Sequence, residues 1–324
     1  DVPSVCSTGD ASCDPYVAAG ADFKLKVSAR QWQAGESSPA NYCDNSGTTP
    51  NFELSDISLS HNLIAPVGDQ DGELGVDSLN IVFGGEATIS DQTISEVGVF
   101  SITAVESSYM GQTIPSATSN NIGRFYPDHF AVGTEGVGVT DRHNLSCSPA
   151  SNFTYMGEEF QSNFVLLAQN AVNEVTQNYV GDFAKLNDVD QLDFKLINKP
   201  DSGTVGLLSR RAPDTTVTAE KDAISDSFIW VEGRGSITLD LLLRRLSAED
   251  GPYTDLTLAI APNDGDAALN SFDVDISGDG DNDHAAVGDK TEVRYGRMQI
   301  QNTYGPETSA LNQPIFIQYY DGTG

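Results

Sequence analysis

The sequence predicts an all-β protein built from tandem immunoglobulin-like antiparallel β-sandwich domains. Three observations lead to this fold class. Apolar and polar residues alternate over short runs, clusters of Gly, Asn, Asp, Ser and Pro separate these runs, and no long stretch carries a clean helical stripe. Alternation with a period of two places one face of a strand on a core and the other in water.

Six runs carry this alternation, and each predicts a strand. Their apolar positions, in chain order, are Phe23, Leu25, Val27 and Ala29; Leu79, Ile81 and Phe83; Leu192, Phe194 and Leu196; Ile237, Leu239, Leu241 and Leu243; Leu256, Leu258 and Ile260; and Ile315, Ile317 and Tyr319. The fourth run is ambiguous between helix and strand, and its strict alternation favours a strand.

A repeated strand pattern divides the chain. Segment 21–32 resembles segment 161–172, and segment 312–323 resembles both. The spacing is too long for a solenoid and suits tandem sandwich domains with loop insertions. The predicted units are a β-sandwich at 1–122, a larger β-sandwich with insertions and an acidic loop at 123–293, and, at 294–324, the truncated start of a third β unit or the final strands of the second.

The chain is strongly acidic. It has 47 Asp and Glu residues against 17 Lys and Arg residues, which gives a net charge of -30. This charge repels a phosphate backbone, so no nucleic-acid partner is expected. No run approaches the roughly 18 apolar residues of a spanning helix, so no membrane insertion is expected either. The acidity favours solubility and cation binding, and a surface adapted to salty water explains it equally well.

Four cysteines, at positions 6, 13, 43 and 147, lack the spacing of a zinc site. In a secreted chain, four cysteines suggest two disulfides, and buried free thiols are the alternative. Cys6 and Cys13 flank a turn-rich loop that is able to close on itself. We therefore predict the pairs Cys6–Cys13 and Cys43–Cys147.

The acidic run DVDISGDGDNDH, residues 273–284, predicts a calcium loop. Alternate residues of a tight loop point their oxygens inward, and Gly280 permits a sharp turn. The proposed ligands are Asp275, Ser277, Asp279, Asp281 and Asp283. The twelfth position of an EF-hand loop is Ala286 rather than glutamate, so this is not a complete EF-hand. A solvated acidic turn is the alternative.

A second acidic stretch, GDQDGEL at residues 68–74, is a weaker calcium candidate. Its ligands would be Asp69, Asp71 and Glu73. A structural ion at either place would offset the repulsion among closely spaced carboxylates.

Several long motifs carry a family resemblance. The segments NIGRFYPDHF (121–130), FTYMGEEF (153–160), PYTDLTLAIAP (252–262) and RYGRMQIQNTYG (294–305) resemble the C-terminal region of MshQ-like proteins. These are large secreted proteins associated with the mannose-sensitive haemagglutinin type IV pilus of aquatic bacteria. The resemblance covers nearly the whole chain. It implies an extracellular role in assembly or adhesion, pilus or other cell-surface proteins as partners, and an acidic loop near residue 275.

Enzyme signatures are scarce. The sequence contains no G-x-S-x-G elbow, no H-E-x-x-H and no phosphate-binding P-loop. His129, next to Asp128, is either half of an acid–base pair or a cap at a domain junction, and we favour the junction. We expect a non-enzymatic structural or adhesive module. A module that binds surface glycans is the second hypothesis, and a polysaccharide-acting enzyme is the third. The aromatic residues available to stack on sugar rings are Trp32, Tyr42, Trp230, Tyr253, Tyr319 and Tyr320, although most aromatic residues at strand positions belong to a core.

Overall fold

A computed structural model describes most of the chain: residues 5–31, 47–68, 70–105, 108–112, 114–135, 138–140, 153–199, 206–207, 227–245 and 247–323. The protein is all-β, with 48% strand, 3% helix and several sheets, which confirms the all-β part of the predicted fold class. No helix in these ranges is long and apolar enough to cross a bilayer.

The first eight strands lie between residues 17 and 126. They are β1 (Val17–Ala18), β2 (Phe23–Ser28), β3 (Leu54–Ala65), β4 (Ser78–Ile81), β5 (Glu86–Gln92), β6 (Gly98–Val105), β7 (Ala117–Thr118) and β8 (Ile122–Tyr126). Six of them form one sheet in the order β1–β8–β6–β3–β4, with β7 beside β6, and β2 pairs with β5. Phe23, Phe100 and Phe125 pack edge to face and join the two sheets in one core.

The next eleven strands form two further sheets. They are β9 (His129–Val132), β10 (Gly138–Thr140), β11 (Thr154–Tyr155), β12 (Glu159–Gln169), β13 (Lys195–Asn198), β14 (Gly206–Leu207), β15 (Ser227–Val231), β16 (Arg234–Leu242), β17 (Tyr253–Ile260), β18 (Ala268–Leu269) and β19 (Ala285–Arg294). One sheet has the order β15–β16–β12–β9–β18, with β10 beside β12, and the other has the order β11–β19–β17–β13–β14. Phe164 and Leu239 from the first sheet share a core cluster with Leu258 and Val287 from the second. These two sheets therefore pack face to face.

The last two strands form a two-stranded ribbon. β20 (Gly296–Ile300) continues the course of β19 after Tyr295, and β21 (Ile315–Tyr319) pairs with β20 in antiparallel register. Within the described strands, β20 and β21 pair only with each other. We call this pair of strands the ribbon.

Five of the six alternating runs contain the predicted strand, and the remaining one is partly wrong. Leu192 ends a short 3-10 helix, Val189–Leu192, and β13 begins only at Lys195. The helix is fixed by a capping box, in which Asp188 accepts a hydrogen bond from the backbone of Asp190 and the Gln191 side chain bonds back to Asp188. Local capping therefore overrides the alternation at this point.

At the end of β4, the alternation extends beyond the strand. Leu79 and Ile81 are buried in β4 as expected, but the strand stops at Ile81 and Phe83 is 80% exposed. Gly84 and Gly85 follow with φ of +76° and +70°, and this backbone turns the chain away from the sheet. Phe83 consequently has no core to face.

Candidate functional site

The acidic loop is attached to the outer face of the β13–β17–β19 sheet. Val274 and Ile276 form a small buried cluster with Ile197 of β13 and Ala259 of β17. The backbones of Val274 and His284 bridge each other and close the loop at its base. The apolar residues that flank the carboxylates therefore anchor the loop, while Asp279 and Asp281 remain exposed.

Two of the predicted ligands shape the loop from within. Asp275 accepts hydrogen bonds from the backbone N–H groups of Gly278 (2.6 Å) and Gly280 (3.0 Å). Asp283 accepts from the backbone of Ile276 and of Ser277, both at 2.8 Å. Such bonds stabilise the ionised form of a carboxylate, and those from Gly278 and Gly280 lower the pKa of Asp275.

Among the carboxyl groups of the loop, that of Asp283 has the largest shift in pKa. Burial disfavours its ionised form, but the hydrogen bonds from Ile276, from His284 and from Ser277 outweigh burial and lower the pKa of Asp283 to about 2. His284 itself is buried, and its Nδ1 lies 2.8 Å from Asp283 Oδ1 while its Nε2 lies 3.0 Å from the carbonyl oxygen of Asp193. This histidine links the loop to the turn that precedes β13.

The predicted calcium ligands offer the right donor type without converging. Carboxylate and hydroxyl oxygens are what calcium takes. In the part of the chain that the structure describes, however, no three His, Cys, Asp or Glu side chains are grouped as a metal site. The loop keeps its shape through N–H donors to Asp275 and Asp283, and Asp279 accepts from the backbone of Asp281. Calcium binding at residues 275–283 stays a prediction.

The weaker acidic stretch is hydrogen-bonded to strand β3 and to the loop between β5 and β6. The Asp71 carbonyl oxygen lies 2.7 Å from His61 Nε2 of β3, whereas the backbone N–H of Glu73 donates to the Ser95 hydroxyl at 2.8 Å. Asp69 lies outside the described residues. Calcium binding by this stretch also stays a prediction.

Cys6 and Cys13 are joined by a disulfide, with their Cα atoms 5.5 Å apart. The bond closes the small loop that the sequence suggested, and the Cys6 side chain packs in the large core cluster. Cys43 and Cys147 lie outside the described residues, so their pairing stays a prediction.

His129 lies where the chain passes from the first group of sheets to the second. β8 ends at Tyr126 and β9 begins at His129. The imidazole is buried, with Nδ1 2.8 Å from Asp128 Oδ2 and Nε2 3.0 Å from Gln169 Oε1. Both ring nitrogens are engaged with the protein itself, and a capping role for His129 stays a prediction.

A buried polar network connects the segments on either side of this crossover. The Glu96 carboxylate accepts hydrogen bonds from the backbone N–H groups of Gln177 (2.9 Å) and Asn178 (3.1 Å). The Asn178 side chain donates to the carbonyl oxygens of Gln70 (2.7 Å) and Val97 (3.0 Å), and its oxygen accepts from Gln70 N–H at 2.9 Å. We call this network, with the contacts in the next paragraph, the joint.

Further contacts extend the joint. Arg124 of β8 forms an ion pair with Asp266 at 2.7 Å and donates through Nε to the Cys13 carbonyl oxygen at 3.0 Å. The backbone N–H of Ala171 donates to the carbonyl oxygen of Ala19 at 2.9 Å. At Gly20, with φ of +75°, a Cβ would lie only 3.3 Å from the backbone nitrogen of Ala171. The two chain segments thus approach too closely for a larger residue to fit without displacement.

Sequence reasoning did not find the joint. Glu96, Asn178 and Arg124 are scattered along the chain, and Glu96 and Asn178 match no motif. One signal was available: Arg124 falls within NIGRFYPDHF, one of the segments that carry the family resemblance.

Two of the aromatic residues considered for sugar stacking are engaged inside the protein. Trp230 packs against Tyr179, with ring centroids 4.7 Å apart, and donates its indole N–H to the Leu186 carbonyl oxygen at 2.7 Å. Tyr253 donates its hydroxyl to Asp250 at 2.7 Å. Trp32 and Tyr42, by contrast, lie outside the described residues.

The fold and these clusters define an all-β protein of several sheets in which a buried polar network joins segments that are distant in the chain. The chain belongs to the DUF6701 family. The profile of the third domain of DUF6701 matches residues 96–289, that of the second domain matches residues 1–93, and that of the fourth domain matches residues 294–324. No curated protein and no solved structure matches the chain.

Proposed function

We propose that the chain is a non-enzymatic structural or adhesive module of a pilus- or cell-surface-associated bacterial protein of the MshQ type. The joint is the observation that supports this proposal most directly. Glu96 and Arg124 are each 5% exposed, and Asn178 is fully buried. Their polar atoms bind partners across the joint, whereas a catalytic acid or base must reach a substrate. Buried polar groups used in this way fix the relative position of two chain segments.

The architecture supports the same proposal. We propose that the two pairs of packed sheets are tandem immunoglobulin-like sandwiches, an architecture that recurs in cell-surface proteins. The Cys6–Cys13 disulfide supports an oxidising, extracellular setting. The resemblance of residues 121–130 and 294–305 to MshQ-like proteins provides the pilus connection.

We also propose that a calcium ion, where bound, has a structural role at residues 275–283. The loop lies over the β13–β17–β19 sheet and immediately precedes β19, so an ion there would stiffen the strand that leads into the ribbon. Catalysis is no part of this proposal.

Glycan binding is the second candidate function. Tyr304 is 91% exposed in the loop between β20 and β21, and an exposed aromatic face is the surface on which sugar rings stack. Trp230 and Tyr253 do not add to it, because their polar atoms are bound within the protein.

A binding experiment on cells separates these functions. We expect a fluorescently labelled chain to be retained by bacteria that carry type IV pili and not by an isogenic strain without them. Equal retention by both strains would contradict the pilus proposal. Retention that a Tyr304→Ala variant loses and that free surface polysaccharide competes away would favour glycan binding. Release of reducing sugar ends from that polysaccharide by the purified chain would contradict a non-enzymatic role.

A further inference from the structure

The first strand, β1, runs parallel to β8, the last strand of the first group of sheets. Backbone hydrogen bonds continue this pairing beyond both ends of β1. The Arg124 N–H donates to the Asp14 carbonyl oxygen at 3.2 Å, and the Tyr16 N–H donates to the Arg124 carbonyl oxygen at 2.9 Å. The Ala19 N–H donates to the Tyr126 carbonyl oxygen at 2.8 Å. We call the two segments that these bonds join, residues 14–19 and 124–126, the parallel pair.

The direction of the two segments decides how tension reaches these bonds. Tension enters residues 14–19 from their N-terminal side and leaves residues 124–126 on their C-terminal side, toward β9. Because the segments run parallel, the two pulls point in opposite directions along one axis, and all the bonds between the segments are stretched together. An antiparallel pair such as β3 and β4, pulled apart at one end, breaks its bonds one after another and yields at a lower force.

The Cys6–Cys13 disulfide delivers tension directly to the parallel pair. Val5 and Cys6 are bonded near the start of β8 in the antiparallel sense, so tension peels these two residues away first. The disulfide then transmits the pull from Cys6 to Cys13, which is next to Asp14. Residues 7–12 lie inside the closed loop and therefore add no slack.

Side-chain contacts reinforce the parallel pair. Arg124 donates through Nε to the Cys13 carbonyl oxygen at 3.0 Å. The Phe125 ring is fully buried and packs edge to face against Tyr16, with ring centroids 5.7 Å apart. Separation of the two segments therefore exposes an aromatic contact in addition to breaking hydrogen bonds.

The same N-terminal stretch is bonded to the second group of sheets as well. The Ala171 N–H donates to the Ala19 carbonyl oxygen at 2.9 Å, just after the end of β12. Lys185, before β13, donates through Nζ to the Ala11 carbonyl oxygen at 3.0 Å. Tension on the N-terminal stretch is thus shared by both groups of sheets, instead of passing only through residues 127–128 between β8 and β9.

We propose that the parallel pair is a mechanical clamp, through which the protein transmits tension from its N-terminal side to the second group of sheets without unfolding. The clamp raises the barrier to forced unfolding, which is a kinetic property and differs from the equilibrium free energy of unfolding. The inference rests on the structural role proposed above and deepens it. Its test needs neither pili nor cells, so the clamp and the pilus connection fail or hold separately.

The test is single-molecule force spectroscopy on the full, unreduced chain with two directions of pull. In the first, one handle precedes Asp1 and the other is attached at Glu135, which is exposed after β9, so the parallel pair lies between the handles. In the second, the N-terminal handle is moved to Val82, which is 74% exposed in the turn between β4 and β5. We expect a higher unfolding force in the first direction, because only there are the bonds of the parallel pair stretched together. An equal or lower force in the first direction overturns the proposal.

Two matched variants assign the resistance to the backbone bonds. Tyr16→Ala and Tyr16→Pro both remove the ring, but only proline also removes the N–H that donates to Arg124. At a constant force in the first direction, Tyr16→Pro should unfold about fivefold faster than Tyr16→Ala, the factor that corresponds to one net hydrogen bond. Equal rates for the two variants place the resistance elsewhere and overturn the proposal. If Tyr16→Pro does not fold, the comparison of the two directions on the wild-type chain still decides.

Discussion

Arg124 and Asp266 form an ion pair of 2.7 Å within the joint, and their side chains are only 7% and 12% exposed. The residues are far apart in the chain, on β8 and in the loop before β18. Burial makes each charge depend on the other, because neither can recover its hydration if the partner is removed.

Asp266→Ala should therefore destabilise the protein by about 3–5 kcal/mol, the usual cost of leaving one buried charge without its partner. Chemical denaturation of the purified variant measures this. Arg297→Ala is the matched control, because the pair of Arg297 with Glu249 is 57% and 40% exposed and should contribute no more than about 1 kcal/mol. Similar losses from both variants would show that burial does not set the strength of the pair at the joint.

Because of Asp250, the free energy of unfolding should decrease as the pH rises from about 4 to about 6. Burial raises the pKa of Asp250 to about 6, above its value of 3.8 in an unfolded chain. The folded state therefore holds this proton more tightly. The resulting stability is fully present below about pH 4 and is lost as the pH rises through 6.

Asp250→Asn should remove this part of the pH dependence and raise stability at pH 7. The gain should stay near 1 kcal/mol or below, since the group is only partly shielded from water. The amide keeps an oxygen for the Tyr253 hydroxyl. Denaturation curves from pH 4 to pH 8 provide the measurement. A difference between variant and wild type that does not change with pH would argue against Asp250 as the source.

Loss of the Cys6–Cys13 bond should destabilise the fold by about 2.5 kcal/mol, the loop-closure estimate for a loop this short. The double variant Cys6→Ala, Cys13→Ala, compared with wild type by thermal unfolding, gives the value.

A thiol count on the denatured, unreduced wild type tests the other predicted pair, Cys43–Cys147. We expect no free thiol, and two free thiols would mean that this pair is not formed.

Calcium should raise the melting temperature, and chelator should lower it, provided that residues 275–283 bind the ion only in the folded state. Free calcium at a hundred times its dissociation constant stabilises the folded protein by about 2.7 kcal/mol. Asp279→Ala should abolish the difference between calcium and chelator. Asp321→Ala, at an exposed carboxylate outside the loop, is the control and should keep the difference. Identical melting of wild type in calcium and in chelator would favour a solvated loop that its own N–H donors hold in shape.

Much of the local structure follows from the sequence alone. The alternation around Phe23, Ile237 and Leu256 specifies strands, because a period of two is a property of the backbone and needs no knowledge of neighbours. The acidic run at 273–284 specifies a loop, and the cause is again local. Its glycines and aspartates form hydrogen bonds to each other within a few residues, such as that from Gly278 N–H to Asp275.

Contacts between distant segments were decided only by the tertiary structure. Glu96 meets Gln177 and Asn178 about 80 positions further on, and no spacing in the sequence marks that meeting. The same limit applies to Ile315 and Ile317. Their alternation correctly specifies a strand with one apolar face, but whether that face is buried depends on a second layer, and a layer is a property of the assembled fold rather than of the strand.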